Sequence, residues 1–231
     1  MTKIIAIGDI HGKDIWKKIV KKESSADMIV FMGDYFDSFD IPFQEQYDNF
    51  LEILKFREQN KNRSTLLLGN HDFHYIFSES YSGYQYAYAD VIGRVIEEAI
   101  KDKSLIQMCY EDNGLLFTHA GVTNRWAKAN SVDLNNIEQS INQLFVDKPS
   151  AFRFTPGIKR DNSGDDITQT PIWVRPESLL KDKVDGYKQV VGHTRRRNID
   201  IDSDILCIDV LDYCNQYLII EDNKISYGEI N

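Results

Sequence analysis

Short runs of apolar, largely β-branched residues alternate along this chain with segments whose apolar positions recur every three or four residues, a pattern that predicts layered strands and helices. Residues 3–7 read as a buried strand, and Ile15, Ile19 and Val20 mark the apolar stripe of a helix ending near Glu23. Residues 28–32 form a second predicted strand. Pro42 suits an early helical position, and Tyr47, Phe50, Leu51, Leu54 and Phe56 outline an amphipathic helix that fades at Asn60. Residues 65–68 give the third strand.

Beyond this point the pattern is looser. Residues 73–104 read as an insertion, polar and tyrosine-rich at first and helical from about Tyr86 through Ile100. Tyr75, Tyr81, Tyr84, Tyr86 and Tyr88 either shape a cleft or pack a helix. Residues 105–110 and 115–118 predict a hairpin closed at Asn113-Gly114. An accessory segment over 123–170 combines a helix at 133–145 with a polar loop at 151–170. Strand-like runs follow at 189–191, 205–210 and 217–220, with a shorter one near Ile225. The expectation is one α/β domain spanning residues 1–231.

Composition narrows the class. The 231 residues, 42% of them hydrophobic, suffice for one substantial core. A formal net charge of -9 argues against a grip on duplex nucleic acid, which needs dense Lys and Arg against phosphates. Cys109, Cys207 and Cys214 lack a Cys-x-x-Cys spacing and fit reduced thiols in the cytoplasm. The apolar run from Ile4 to Ile7 is cut short by Asp9, so neither a signal peptide nor a membrane span is expected there.

The candidate chemistry lies where the strands stop. Four of the five histidines fall in five short blocks: Gly8-Asp9-Ile10-His11-Gly12, Gly33-Asp34-Tyr35-Phe36-Asp37, Gly69-Asn70-His71-Asp72, Thr118-His119-Ala120-Gly121 and Gly192-His193-Thr194. One such block means little, because Gly ends strands everywhere and a lone His is usually structural. Five in order, each after an apolar run, point to a site for divalent transition metals, which mixed imidazole, carboxylate and carbonyl donors suit. Two such ions can grip the attacking and leaving oxygens of a phosphoryl transfer.

The series resembles the calcineurin-like metallophosphoesterases, and within them the bacterial and phage phosphoprotein phosphatases. The likeness runs from Ile4 to about Asp209. The His119-Ala120-Gly121 block also resembles symmetrical diadenosine tetraphosphatases, and Trp173-Val174-Arg175-Pro176 looks like a further bacterial element. The resemblance implies an α/β (α+β) fold, a two-sheet β-sandwich flanked by helices. It implies that Asp9, His11 and Asp34 hold one divalent ion and Asp34, Asn70, His119 and His193 a second, with Asp34 bridging. Manganese is the expected metal, with iron, zinc and nickel accepted by the same donors. By the same likeness, His71 protonates the leaving oxygen, Asp37 orients His71, and a hydroxide activated by both metals attacks.

Two departures matter. Eukaryotic members continue the second block with an arginine that clamps phosphate, and here Asp37 is followed by Ser38-Phe39. Arg175, Arg125 and Arg160 are the candidate replacements, Arg175 first because a bidentate guanidinium suits phosphate, with Asn70 a further phosphate contact. Many phosphodiesterases end the last block Gly-His-x-His, and here that place is Arg195, which either steers anions or forms part of a solvated basic turn. Asp72 reads as a supporting acceptor or a helix cap, and His74 as a loop or helix-start histidine with solvent on one side. Phosphomonoester hydrolysis of the serine/threonine phosphatase kind is the leading reading. A nucleotide phosphohydrolase acting on dinucleoside polyphosphates or on 2',3'-cyclic or terminal nucleotide phosphates, and a non-catalytic metal-binding regulatory module, are the alternatives.

Overall fold

The computed structural model describes residues 2–77, 79–101, 104–160, 162–222 and 224–230. Met1, Asn223 and Asn231 of the expected domain, Ser78, Asp102 and Lys103 of the expected insertion, and Asp161 of the accessory segment lie outside them.

The chain opens with β1 (Lys3–Ile7), α1 (Ile15–Lys22), β2 (Met28–Phe31), α2 (Phe43–Gln59) and β3 (Ser64–Leu67). These strands pair in parallel. Parallel neighbours need a crossover long enough for a helix, and α1 and α2 supply it. After α3 (Asn70–Ile76) and α4 (Ala89–Lys101), β4 (Ile106–Gln107) joins the far side of β3. The second sheet is built from β5 (Cys109–Asp112), β6 (Leu115–Thr118), β7 (Lys188–Val191) and β8 (Ile205–Cys207). Between β6 and β7 run α5 (Asn124–Ala129), α6 (Ile137–Asp147) and α7 (Pro176–Asp182). The chain returns to the first sheet through β9 (Gln216–Glu221) and β10 (Lys224–Glu229). The sheet orders are β10-β9-β1-β2-β3-β4 and β5-β6-β7-β8.

Successive strand residues face opposite sides, so each central strand serves two cores. Ile4 and Ala6 meet Phe117, Val190 and Leu206 between the sheets, while Ile5 and Ile7 join Trp16, Ile19, Phe50 and Ile53 under the helices. Burial on both faces explains why β1 reads as an unbroken apolar run. Outside the second sheet, Val174 and Leu179 cover Val191 and Ile205.

Several expectations need correction. The run at 105–110 is not one hairpin arm: Ile106–Gln107 extends the first sheet and Cys109–Asp112 starts the second. Asn142 on α6 makes the change of sheet possible, because its side-chain oxygen accepts from both Met108 N and Cys109 N at 2.9 and 3.0 Å. The helices α3, α5 and α7 escape the pattern because six or seven residues show too little periodicity. The 133–145 helix begins as a 3₁₀ turn, Leu134–Asn136, before α6. Among the described residues no helix is long and apolar enough to cross a membrane, and the three cysteines are free thiols.

Candidate active site

Strand ends from both sheets meet at one edge of the sandwich. Asp9 and His11 follow β1, Asp34 and Asp37 follow β2, Asn70 and His71 follow β3, His119 follows β6 and His193 follows β7. The structure brings all eight together through contacts that link residues as distant in sequence as Asp9 and His193.

Unusual backbone geometry aims the side chains. His11, Asp34, Asp37 and His193 have φ of 40, 52, 67 and 63°. Left-handed backbone costs a non-glycine residue about 1–2 kcal/mol, so other contacts must hold these turns. Backbone bonds from His11 N to Asp34 O and from Gly12 N to Tyr35 O tie the first two loops at 2.7 and 2.9 Å. Asp72 ties the second and third: its carboxylate accepts from Asp34 N and Tyr35 N, both at 2.8 Å, and from Gly69 N at 3.0 Å. It is thus both a supporting acceptor and the cap of α3. Two motif glycines mark close approaches, since a Cβ on Gly69 would overlap the Asp34 carboxylate and one on Gly192 the Asp9 carboxylate.

Hydrogen bonds to carbonyls orient three imidazoles. His11 Nδ1 donates to Phe36 O at 2.6 Å, His119 Nδ1 to Met32 O at 2.8 Å, and His193 Nε2 to Trp173 O at 3.1 Å. In each neutral ring the other nitrogen then carries a lone pair. Those lone pairs face oxygens. His119 Nε2 and His193 Nδ1 lie 2.9 and 2.8 Å from Asn70 Oδ1, and Asp34 Oδ2 lies 3.4 Å from His119 Nε2 and 3.8 Å from His11 Nε2. Acceptors turned toward one another around buried carboxylates fit divalent cations, and the carbonyl bonds are the outer support that metal-binding histidines use. Asp9, His11 and Asp34 also place their donor atoms within 4.8 Å of one another.

The electrostatics agree. Burial, then Asp209 and Asp34, push the Asp9 carboxyl well above its ordinary range. Burial and Asp34 likewise raise Asp72 and Asp209. Burial drives His11 down to about 4, with Asp34 only partly offsetting it. Asp34 itself stays well below the usual range, because neighbouring His119 and His71 outweigh its burial. A buried nest of four carboxylates, three of them pushed toward the protonated form by burial and mutual repulsion, is a site that suits cations.

His71 stands beside this cluster. Its N–H donates to Asp34 Oδ1 at 2.9 Å, its Nδ1 lies 2.9 Å from Asp37 Oδ2, and its ring meets that of His11 at 5.2 Å between centroids. Burial disfavours the imidazolium, yet Asp34 and Asp37 outweigh burial and raise His71 above its ordinary value. With 21% of its side chain exposed, His71 is also open to solvent.

The four arginines separate. Arg175 Nη1 donates to His193 O and Thr194 Oγ1 at 3.0 and 3.1 Å, and its charge is felt at Asp34, Asp9 and Asp209. Arg195 is drawn aside into an ion pair with Asp212 at 2.9 Å. Arg125 and Arg160 are exposed and make no side-chain hydrogen bond or ion pair with the cluster among the described residues.

Two residues escaped the sequence reading. Asp209 follows the apolar run of β8 as Asp9 follows β1, and that parallel was the available signal. His74 is corrected outright: it is fully buried within α3, with Nε2 2.8 Å from Asp37 Oδ2. Its position one helical turn after Asn70 was the clue, because residues i and i+4 share a helix face. The tyrosines resolve toward packing, with Tyr75 and Tyr84 stacked at 4.6 Å and Tyr88 on Phe43 at 3.8 Å.

The chain is similar to several known proteins. Shewanella-like protein phosphatase 1 of Plasmodium berghei (strain Anka) is 24% identical over 269 residues, covering 98% of this chain and 69% of that protein. A cold-active protein-tyrosine phosphatase of a psychrophilic Shewanella species superposes with a TM-score of 0.61 at 19% identity, over 99% of this chain and 78% of that one. A Saccharomyces cerevisiae protein serine/threonine phosphatase with similarity to human phosphatase PP5 gives 0.57 at 14% identity, over 100% and 80%. Both structures share the helix-flanked pair of sheets. The profile of the calcineurin-like phosphoesterases matches residues 2–203, and the chain belongs to that family.

Proposed function

We propose that the protein hydrolyses phosphomonoesters, with phosphoserine and phosphothreonine side chains of proteins as its substrate class. The observation that carries this reading is the His71–Asp37 pair set against the buried ligand cluster. A seryl or threonyl leaving oxygen is strongly basic, so a proton donor is needed there more than for an aryl ester. Asp37 accepts from His71 Nδ1 and so fixes the ring, which stands against that of His11, with Nε2 left to act as the donor. Asp9, His11 and Asp34 would hold one divalent ion and Asp34, Asn70, His119 and His193 a second, with manganese as the expected metal. When bound, such ions supply Lewis acidity and lower the pKa of water.

Arg175 takes the part of the absent phosphate clamp. Its Nη1 anchors it to the His193 loop and its Nε donates to Ser163 O, while its Nη2 makes no hydrogen bond among the described residues. Guanidinium geometry suits phosphate oxygens. Arg175→Lys is expected to raise KM for a phosphopeptide about tenfold with a smaller change in kcat, the loss of one charge-assisted hydrogen bond of about 1.5 kcal/mol. An unchanged KM would remove Arg175 from substrate binding.

Names of relatives include both serine/threonine and tyrosine phosphatases. The deciding experiment supplies manganese and compares phosphoserine and phosphotyrosine peptides, diadenosine tetraphosphate and a 2',3'-cyclic nucleotide. Preferential hydrolysis of the phosphoserine peptide is expected. Cleavage of the nucleotides alone would replace this reading with that of a nucleotide phosphohydrolase.

A further inference from the structure

Asp37 does more than face one histidine. Its Oδ2 lies 2.9 Å from His71 Nδ1 and 2.8 Å from His74 Nε2. Its Oδ1 accepts from the Tyr75 hydroxyl and from the Gln85 side-chain amide, which turns Oδ2 toward the two rings. Asn70 Oδ1 stands between His119 and His193 in the same way, at 2.9 and 2.8 Å. The donor atoms of Asp37, His71 and His74 all lie within 4.8 Å of one another.

His74 supplies an independent observation. It is wholly buried among the rings of Tyr75, Tyr81 and Tyr84, yet neither ring nitrogen has an aligned hydrogen-bond partner. The Nε2 contact with Asp37 is close but off the line of a hydrogen bond. A buried polar atom left without a partner is destabilising, and a ligand on the ring would satisfy it. No lysine or arginine pairs with Asp37 among the described residues.

We propose that Asp37, His71 and His74 form a third cation site, separate from the cluster of Asp9, His11, Asp34, Asn70, His119 and His193, and that it takes zinc or a similar borderline ion. Two imidazoles and one carboxylate are a common three-residue zinc set, leaving a fourth position for water. Zinc bonds of about 2.0–2.2 Å at tetrahedral angles separate neighbouring donors by about 3.4 Å, so the two spacings from Asp37 Oδ2 need open by only about half an ångström. The exposed edge of His71 gives the ion its way in. An ion on His71 Nδ1 replaces the hydrogen bond through which Asp37 orients that ring. Occupancy therefore inhibits. The inhibition rests on the proposed acid role of His71, whereas the binding does not.

The test is a metal count. Protein saturated with manganese is dialysed against zinc plus manganese, and total metal per chain is measured by mass spectrometry, which is indifferent to exchange of zinc for manganese in the larger cluster. The wild type is expected to hold one equivalent more than His74→Phe, a change that keeps the aromatic packing and removes the nitrogens. Turnover of a phosphoserine peptide by the wild type is expected to fall about 10²-fold as the extra equivalent binds, the lower bound for loss of a general acid. His74→Gln serves as the second variant should phenylalanine prevent folding, judged by circular dichroism. Equal metal content in the wild type and a folded His74 variant overturns the site. Failure to hydrolyse any phosphomonoester overturns the proposed function and leaves the metal count intact.

Discussion

Asp34→Asn is expected to empty the centre of metal and abolish turnover. Asp34 lies between the two groups of candidate ligands, with Oδ2 3.4 Å from His119 Nε2 and 3.8 Å from His11 Nε2. Its Oδ1 also accepts the backbone N–H of His71, so the same carboxylate positions the candidate acid. An amide keeps the shape but removes the charge, and one end becomes a donor where acceptors are needed. Loss of a contact that merely supports a metal ligand costs about 10–100-fold, and removal of a shared ligand must exceed that. Metal analysis and kcat/KM on the purified, manganese-treated variant are the measurements. A variant with full metal content and a rate within about tenfold of wild type, about 1.4 kcal/mol, would refute the bridging role.

His71→Asn separates proton transfer from metal binding. His71 touches the cluster through its backbone N–H, while its ring is bonded to Asp37, so the variant is expected to keep its metal. Turnover of an alkyl phosphate should fall by about 10²- to 10⁴-fold, the range for a positioned general acid. An aryl phosphate with an acidic leaving group needs little protonation and should lose far less. The two substrates therefore diverge if His71 is the acid. Equal losses on both would assign His71 to binding or structure instead.

The legible and illegible parts of the site differ in kind. Asp9, Asp34 and His119 were readable because each follows a short apolar strand in a Gly-bounded or Thr-bounded block, and such blocks are local in sequence. Asp209 obeys the same rule, but a carboxylate after β8 without a histidine nearby carries no block of its own. His74 was misread as half solvated because nothing in residues 73–85 announces that Tyr75, Tyr81 and Tyr84 close over it. Among the arginines, the sequence already favours Arg175, and its bonds to the His193 loop, with the pairing of Arg195 to Asp212, distinguish the two.

Strand and helix periodicity is a property of neighbouring residues, so the sequence by itself determined the core strands, the helices beside them and the kinds of donor atom available. Tertiary structure decided what periodicity cannot encode. It split residues 105–110 between two sheets, because the polar side chain of Asn142 satisfies the backbone at the crossing. It also gathered donors from residues 9 to 193 at one edge, because burial of Phe117, Val190 and Leu206 against Ile4 and Ala6 sets the strand ends of the two sheets side by side. Left-handed turns at His11, Asp34, Asp37 and His193 then fix where those side chains point, and bonds between loops far apart in the chain help hold those at His11 and Asp34.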